Sequence, residues 1–110
     1  MARVQALITE QQFTNSVLEY AKAYGWKRFH VRMSGVGGSN VQGDRGFPDL
    51  VLVRPPRLIF AELKVGKSKP RPEQNEWLVA LLNSSSAEVY LWTPVDWSHV
   101  LATLAGRATL

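Results

Sequence analysis

The sequence predicts an α/β (α+β) fold in which a central mixed sheet is flanked by helices, in the order αβββαβα. Three observations support this prediction. Apolar residues recur at helical spacing in three segments, four other segments have the length and the branched or aromatic content of strands, and glycines and prolines separate them. Because 110 residues is an ordinary length for one hydrophobic core, we expect a single domain over residues 1–110.

The first half of the chain begins with a helix and a strand. Thr9-Glu-Gln-Gln12 has the form of a capping box, and Gly25 stands where a helix would end. The apolar positions between them are Phe13, Val17, Tyr20, Ala21 and Tyr24. Alternation from Trp26 to Met33 predicts the first strand. The five glycines of Ser34 to Gly46 predict a long mobile loop that could lie against a substrate.

A β-hairpin is expected next. Two apolar runs, Asp49 to Val53 and Leu58 to Val65, are joined by Arg54-Pro-Pro-Arg57. Neither proline can extend a ladder of backbone hydrogen bonds, so this segment must turn.

The rest of the chain predicts a helix, a strand and a last helix. Lys67 to Arg71 is a basic connector, and Pro72 can open a helix that runs to about Asn83. Its inward residues are expected to be Trp77, Leu78, Leu81 and Leu82. Glu88 to Trp92 predicts the fourth strand. Thr93-Pro-Val-Asp96 resembles a capping box that opens a helix over Trp97, Val100, Leu101 and Leu104.

Composition excludes several classes of protein. Without cysteine there are no disulfides, zinc fingers or thiolate chemistry, and His30 and His99 lack the spacing of metal ligands. No apolar run has the length of a membrane span, and the N-terminus has no signal-peptide pattern. We therefore expect a soluble, cytoplasmic protein.

Positive charge is concentrated in the middle of the chain. Residues 27–71 carry a net charge of +7, whereas the remaining residues sum to −3. The basic residues of this segment are Lys27, Arg28, Arg32, Arg45, Arg54, Arg57, Lys64, Lys67, Lys69 and Arg71. A basic centre suits a polyanion such as nucleic acid. A solvated basic surface is an equally good reading of the charge alone.

The hairpin brings two acids together. If Val53 faces Leu58, paired residue numbers sum to 111 and Asp49 lies opposite Glu62. Facing carboxylates repel each other and weaken a sheet, whereas a divalent cation such as Mg²⁺ or Mn²⁺ would hold them together. By strand alternation, Lys64 points to the same face as Glu62.

This inference depends on the register, because a shift of one residue would turn Asp49 to the other face. The simpler alternative is that Asp49 ends a Pro-Asp turn, while Glu62 and Lys64 form a surface ion pair.

Two helical residues add to the set. Glu10 lies at the edge of the core-facing stripe of the first helix, whereas Glu19 points away. Gln74 places an amide on the apolar face of the second helix. The alternatives are a first-turn acid favoured by the helix dipole for Glu10 and an amide bonded to backbone for Gln74.

Taken together, Glu10, Gly46-Phe-Pro-Asp-Leu50, Glu62-Leu-Lys64 and Gln74-Asn-Glu-Trp77 resemble the virus-type replication-repair nuclease family, a branch of the PD-(D/E)XK nuclease superfamily. The resemblance extends over most of the chain, to Glu88–Trp97. It implies that Asp49 and Glu62 are metal ligands, joined by the Leu63 carbonyl and Glu10, that Lys64 orients or activates the attacking water, and that Gln74 supports the site.

The activity implied is metal-dependent hydrolysis of phosphodiester bonds in DNA. Lys67, Lys69 and Arg71, together with Arg45, are expected to hold flanking phosphates, which favours selection by DNA shape over base sequence. Single-domain members of the family, typically viral or bacteriophage, resemble homodimeric enzymes that cut four-way (Holliday) junctions. The alternatives are a nuclease for flaps, ends or linear duplex, and a non-catalytic nucleic-acid-binding module.

Overall fold

The computed structural model describes residues 8–31 and 42–106, and it confirms the predicted fold class and element order. The helices are α1 (Glu10–Ala23), α2 (Pro72–Ser84) and α3 (Trp97–Ala105), with a short 3-10 turn at Pro94–Asp96 before α3. The strands are β1 (Lys27–His30), β2 (Leu50–Arg54), β3 (Arg57–Leu63) and β4 (Glu88–Trp92).

One mixed sheet organises the molecule, with the strands in the order β1-β2-β3-β4. The first three strands are antiparallel, and β4 runs parallel to β3. A parallel neighbour requires a crossover, which α2 provides. Since no helix of the described ranges is both long and apolar enough, none can cross a membrane.

The two faces of the sheet differ in how they are covered. One face packs on α1 and α3 and forms the fully buried core, which includes Phe13, Val17, Leu50, Leu52, Ile59, Ala61, Leu63, Val100 and Leu104. The other face carries Val51, Leu58, Phe60 and Glu62 and is covered only in part, so that most of its apolar residues are half-buried. α2 and the segment before β2 lie on this second face, because Phe47 contacts both Phe60 and Trp77.

The hairpin has the predicted register. Val53 pairs with Leu58 and Leu50 pairs with Ala61, so the paired residue numbers sum to 111. The connecting loop is shorter than predicted, because Arg54 and Arg57 also pair and only Pro55 and Pro56, joined by a cis peptide bond, remain in the turn. β2 begins at Leu50, one residue later than predicted, and β3 ends at Leu63, two residues earlier than predicted.

Other boundaries and orientations were predicted wrongly. The first strand is Lys27–His30, because Trp26 turns into the core instead of extending it, and residues 32–33 lie outside the described residues. The predicted mobile loop falls mostly on residues 34–41, which also lie outside them. In α2, Leu82 is 58% exposed, since only part of the helix reaches the sheet.

Both predicted capping boxes form. In α1, the Thr9 hydroxyl accepts from the Gln12 backbone N–H at 3.0 Å, and the Gln12 side chain accepts from the Thr9 N–H at 2.8 Å. At the start of the last helical segment, the Asp96 carboxylate accepts from the Thr93 N–H at 2.9 Å.

Two arginines at the hairpin turn hold the end of α3. Arg57 donates to the carbonyls of Thr103 and Gly106 and forms a two-bond pair with Glu88, at 2.6 and 2.7 Å. Arg54 donates to the carbonyls of Leu104 and Gly106, and both guanidinium groups lie over the Trp26 ring. Their positive charge is therefore used within the fold.

Candidate metal centre

Asp49 lies just before β2, where the ladder continues by one further backbone bond. Its carbonyl accepts from the Val31 N–H at 2.7 Å, which extends the β1–β2 pairing. Its carboxylate Oδ2 accepts from the Leu63 N–H at 2.8 Å. One carboxylate oxygen is thus bound to the end of β3, which leaves Oδ1 for another partner.

Glu62 is a buried acid, with only 1% of its surface exposed. Its Oε2 accepts from the Gln74 side-chain amide at 2.9 Å and lies 3.3 Å from the Lys64 ammonium nitrogen. The other oxygen, Oε1, is buried and has no hydrogen-bond partner within residues 8–31 and 42–106. An orphaned buried oxygen is costly unless a ligand completes it.

The pKa of Glu62 reflects this environment. Burial above all, and then the negative charge of Asp49, raise the pKa of the Glu62 carboxyl to about 7, although Lys64 acts in the opposite direction. Desolvation and a like charge both disfavour the ionised form. A cation between the two carboxylates would reverse the effect of the like charge.

Gln74 joins the start of α2 to the acid on β3. It is 7% exposed, and its Oε1 accepts from the Arg71 N–H at 2.8 Å, which satisfies a backbone donor at the start of the helix. Its amide donates to Glu62. Because both ends of its side chain are bonded, Gln74 fixes the position of the Glu62 carboxylate relative to α2.

The loop before Asp49 is packed tightly against the first turn of α2. Gly46 has φ +100°, and a Cβ atom there would lie 2.6 Å from the Glu73 carbonyl oxygen. Phe47 packs edge-on against Phe60 and Trp77, with ring centroids 5.9 and 5.0 Å apart. Trp77 in turn donates to the Asp44 carbonyl. These contacts fix the position of Asp49, the residue just before β2.

Seven of the predicted site residues line one open cavity of about 670 Å³. Its lining includes the predicted residues Glu10, Arg45, Asp49, Glu62, Lys64, Arg71 and Gln74. Lys67 and Lys69 lie outside this lining, on the exposed connector after β3. Leu63 is buried, and its N–H binds Asp49. In a regular strand the C=O of a residue points to the same side as its N–H, which directs the Leu63 carbonyl toward Asp49.

Glu10 is set apart from the other two acids. It is exposed and lines the cavity from the start of α1. In the described residues, no three acidic or histidine side chains come close enough together to hold a metal ion by themselves. A metal here would therefore be bound by Asp49, Glu62 and the Leu63 carbonyl, with water completing its coordination.

Sequence reasoning missed six residues that line this cavity, among them Gly46, Phe47 and His30. Gly46 and Phe47 were quoted only as part of a motif, and their packing roles depend on where α2 lies. His30 also lines the cavity. Its position opposite Leu50 could be inferred only from the β1–β2 register, which no turn motif specifies because the connection between the two strands is long.

The donor set fits a hard divalent cation. Two carboxylates and a carbonyl are oxygen ligands of the kind that Mg²⁺ and Mn²⁺ prefer, and the buried Oε1 of Glu62 lacks another partner among the described residues. Comparisons of this chain with protein-family models, with curated proteins and with solved structures find no match. The function is therefore inferred from the residues and their geometry.

Proposed function

We propose that this protein is a metal-dependent DNA endonuclease that hydrolyses phosphodiester bonds, with Mg²⁺ or Mn²⁺ as cofactor. The observation that carries the proposal is the pair Asp49 and Glu62, which line one open cavity together with Lys64. One oxygen of each acid is bonded within the fold, and the remaining Glu62 oxygen is buried without a partner among the described residues. Folding alone gives no reason for such a pair.

The chemistry follows from the functional groups. A bound divalent cation would lower the pKa of water and neutralise charge that develops on the phosphate. Asp49, Glu62 and the Leu63 carbonyl would hold it. The Lys64 ammonium, 3.3 Å from Glu62 Oε2, can donate to the attacking water or to a phosphate oxygen and adds positive charge. Gln74 keeps Glu62 from rotating away, since its amide is bonded to Oε2.

Cationic side chains extend the site toward a polyanion. Arg45 and Arg71 are exposed at the cavity, and Lys67 and Lys69 are exposed on the adjoining connector. Such residues hold phosphates without reading base sequence. These features favour a substrate recognised by shape, and we propose branched DNA such as a four-way junction, cut by a homodimer.

A direct experiment compares three DNA substrates of matched sequence: a four-way junction, a flap and a linear duplex. We expect cleavage with Mg²⁺ or Mn²⁺, none in EDTA, and the highest rate on the junction. Preference for the flap or the linear duplex would exclude the four-way junction as the preferred substrate. It would support the same nuclease reaction on one of the alternative substrates.

Alanine variants test the mechanism. We expect Asp49→Ala, Glu62→Ala and Lys64→Ala each to reduce the cleavage rate at least about 100-fold, the scale of losing one electrostatic stabiliser, while DNA binding in a gel-shift assay is retained. Asp44→Ala and Lys22→Ala are matched exposed controls, and their cleavage rates should be unchanged. Full activity of the Asp49 or Glu62 variant would overturn the mechanism.

A non-catalytic DNA-binding module is the second candidate, supported by the same basic residues. It predicts DNA binding without metal-dependent cleavage on any of the three substrates. Isothermal titration with Mn²⁺ separates the two functions further, because a module that only binds DNA has no need of a cation between Asp49 and Glu62.

A further inference from the structure

We infer that β1 binds an unpaired nucleotide beside the cleavage site, with the Phe29 ring as the surface on which its base stacks. The inference rests on the proposed nuclease function and specifies which part of the DNA reaches this side of the cavity. It begins from an exposed aromatic residue that neither the core nor the candidate metal centre uses.

Phe29 is unusually exposed for a phenylalanine in a strand. It is 64% exposed, more than any other aromatic side chain in the described part of the chain. It lies on β1, which forms one edge of the sheet as described, and it pairs with Val51. Its side chain therefore projects from the partly covered face, the face that also carries Glu62.

The position of Phe29 relates it to the candidate metal centre. The next residue on its face, Val31, lines the cavity and bonds the Asp49 backbone at 2.7 Å. In the β1–β2 ladder, Phe29 is the diagonal neighbour of Asp49, a separation of about 7–8 Å. At about 3.4 Å per stacked nucleotide, a base on Phe29 would lie roughly two nucleotides from a phosphate bound by a metal ion beside Asp49.

The charge around Phe29 favours a nucleic acid as the ligand. Lys27 and Arg28 are exposed on the same short strand, and Lys27 shares the face of Phe29 by strand alternation. A symmetric contact between two copies through this strand would bring two sets of these cations into one interface, which is unfavourable. A phosphate backbone is attracted to them, and a base offers a flat π surface to the ring.

An unpaired base is required because the faces of paired bases are covered by their stacked neighbours. Aromatic stacking of single-stranded bases tolerates any sequence. This agrees with a site that otherwise offers mainly phosphate contacts. The substrate class is therefore DNA with unpaired nucleotides near the cut, such as a flap or the open centre of a junction.

The test measures stacking without cleavage. The fluorescent base 2-aminopurine is placed, one position at a time, at the three positions nearest the branch of a flap DNA and at the corresponding positions of fully paired DNA. Binding is followed in EDTA. We expect the wild-type protein to quench the fluorescence of an unpaired position. We expect Phe29→Ala and Phe29→Leu to lose the quenching and to bind the flap roughly 5- to 150-fold more weakly, with duplex binding unchanged.

Substitution by another aromatic residue separates stacking from hydrophobic packing. Phe29→Trp should retain both quenching and affinity, and Leu82→Ala, which removes an equally exposed apolar side chain on α2, should behave as wild type. Phe29→Leu keeps the strand and the apolar character, so its loss of quenching cannot be attributed to unfolding.

Several results would overturn the inference. These are wild-type quenching in Phe29→Leu, equal weakening of flap and duplex binding in Phe29→Ala, or a change of molar mass in Phe29→Ala by light scattering, which would make the surface a contact between copies. The nuclease proposal fails separately. Quenching that depends on Phe29 in a protein that cleaves none of the substrates would retain this site and reject the endonuclease.

Discussion

Under the proposed function, Glu62 would have opposite effects on activity and on stability. The fold buries this carboxylate beside Asp49, leaves one oxygen without a partner among the described residues, and so raises the pKa of Glu62 to about 7. Such an arrangement is unfavourable in the metal-free protein and favourable only with a cation. Residues placed for function often carry a cost of this kind in stability.

We predict that Glu62→Gln stabilises the metal-free protein at pH 8 and abolishes Mn²⁺ binding. The pKa of Glu62 is raised in the folded state, so the folded protein binds more protons and loses stability as pH rises from about 4.5 to about 7. Glutamine does not titrate and can still accept from Gln74. Urea unfolding should show a gain on the order of 1–3 kcal/mol at pH 8 and little gain at pH 4.

Glu76→Gln, on the exposed side of α2, is the matched control and should show no such pH-dependent gain. A Glu62→Gln protein that is less stable than wild type at pH 8 would show that the buried charge is favourable in the absence of metal.

At the scale of single residues, the sequence predicts the acids better than it predicts their partners. The facing of Asp49 and Glu62 follows from two prolines that determine the turn, which is local information. Gln74 was recognised because an amide on an apolar helical face is unusual. Its bond to Glu62 depends on the crossover of α2, and no local pattern specifies how far that helix lies from β3.

Among the elements, the loop before β2 and the first turn of α2 form one packed unit. We predict that Gly46→Ala destabilises the protein by about 2–4 kcal/mol, because the new Cβ would clash with backbone and alanine is strained at positive φ. Cleavage should fall as well, since the loop positions Asp49. Chemical denaturation and single-turnover cleavage measure the two effects.

Gly43→Ala provides the matched comparison. Gly43 also has positive φ, at +113°, but apart from its chain neighbours no atom of the described residues lies within 4 Å of a Cβ built there. Backbone strain alone should therefore cost about 1 kcal/mol. Equal losses for Gly43→Ala and Gly46→Ala would mean that strain, and not the contact with α2, determines the effect.

The hairpin turn and the end of α3 form a second packed unit. We predict that Arg57→Ala lowers the free energy of unfolding by about 2–4 kcal/mol at pH 7, because it leaves Glu88 and the carbonyls of α3 without their donor. Arg57 holds the pKa of Glu88 below its usual range, so its contribution is lost as pH falls through that lowered pKa.

The difference between wild type and Arg57→Ala in urea unfolding should therefore narrow at acid pH. Lys22→Ala, an exposed control on α1, should leave the free energy of unfolding unchanged at both pH values. Metal binding by Arg57→Ala should match wild type, because the hairpin turn lies at the other end of β2 and β3 from Asp49.

The elements themselves were predicted from sequence with small errors at their ends. Capping boxes and the proline turn carry their own signals, so α1, β4 and the hairpin were recovered closely. The orientation of α2 was less predictable. An apolar stripe shows which side of a helix is hydrophobic, but the sheet face beneath α2 is only partly covered, and Leu82 remains in solvent.

At the scale of the whole molecule, the formal charge overstates the basic surface. Arg54 and Arg57 bind carbonyls and Glu88 within the fold, so the cations that a polyanion could reach are mainly those near the cavity and on the connector. The sequence could not separate these two groups, because the arginines of the turn look like surface residues until α3 is placed beside them.

Salt dependence of DNA binding measures this distribution. We predict that affinity falls steeply with salt and that Lys67→Ala and Lys69→Ala each reduce the slope of log K against log salt by about 1. Lys22→Ala, on the far side of α1, should leave the slope unchanged. If neither Lys67→Ala nor Lys69→Ala changes the slope, the connector is not part of the DNA interface.

Contacts in the candidate metal centre and contacts in the scaffold differ in how far apart the bonded residues lie in the sequence. The bonds that build the centre join residues 12 and 14 positions apart, whereas the Trp26 indole binds the Leu104 carbonyl across 78 positions. Local contacts generally form faster than distant ones. During folding, the hairpin can therefore bring Asp49 and Glu62 together before the ends of the chain close the core. Divalent metal or mildly acidic pH should then speed refolding by relieving the early repulsion between Asp49 and Glu62. Stopped-flow refolding rates that are the same with and without Mn²⁺ would argue against this order of assembly.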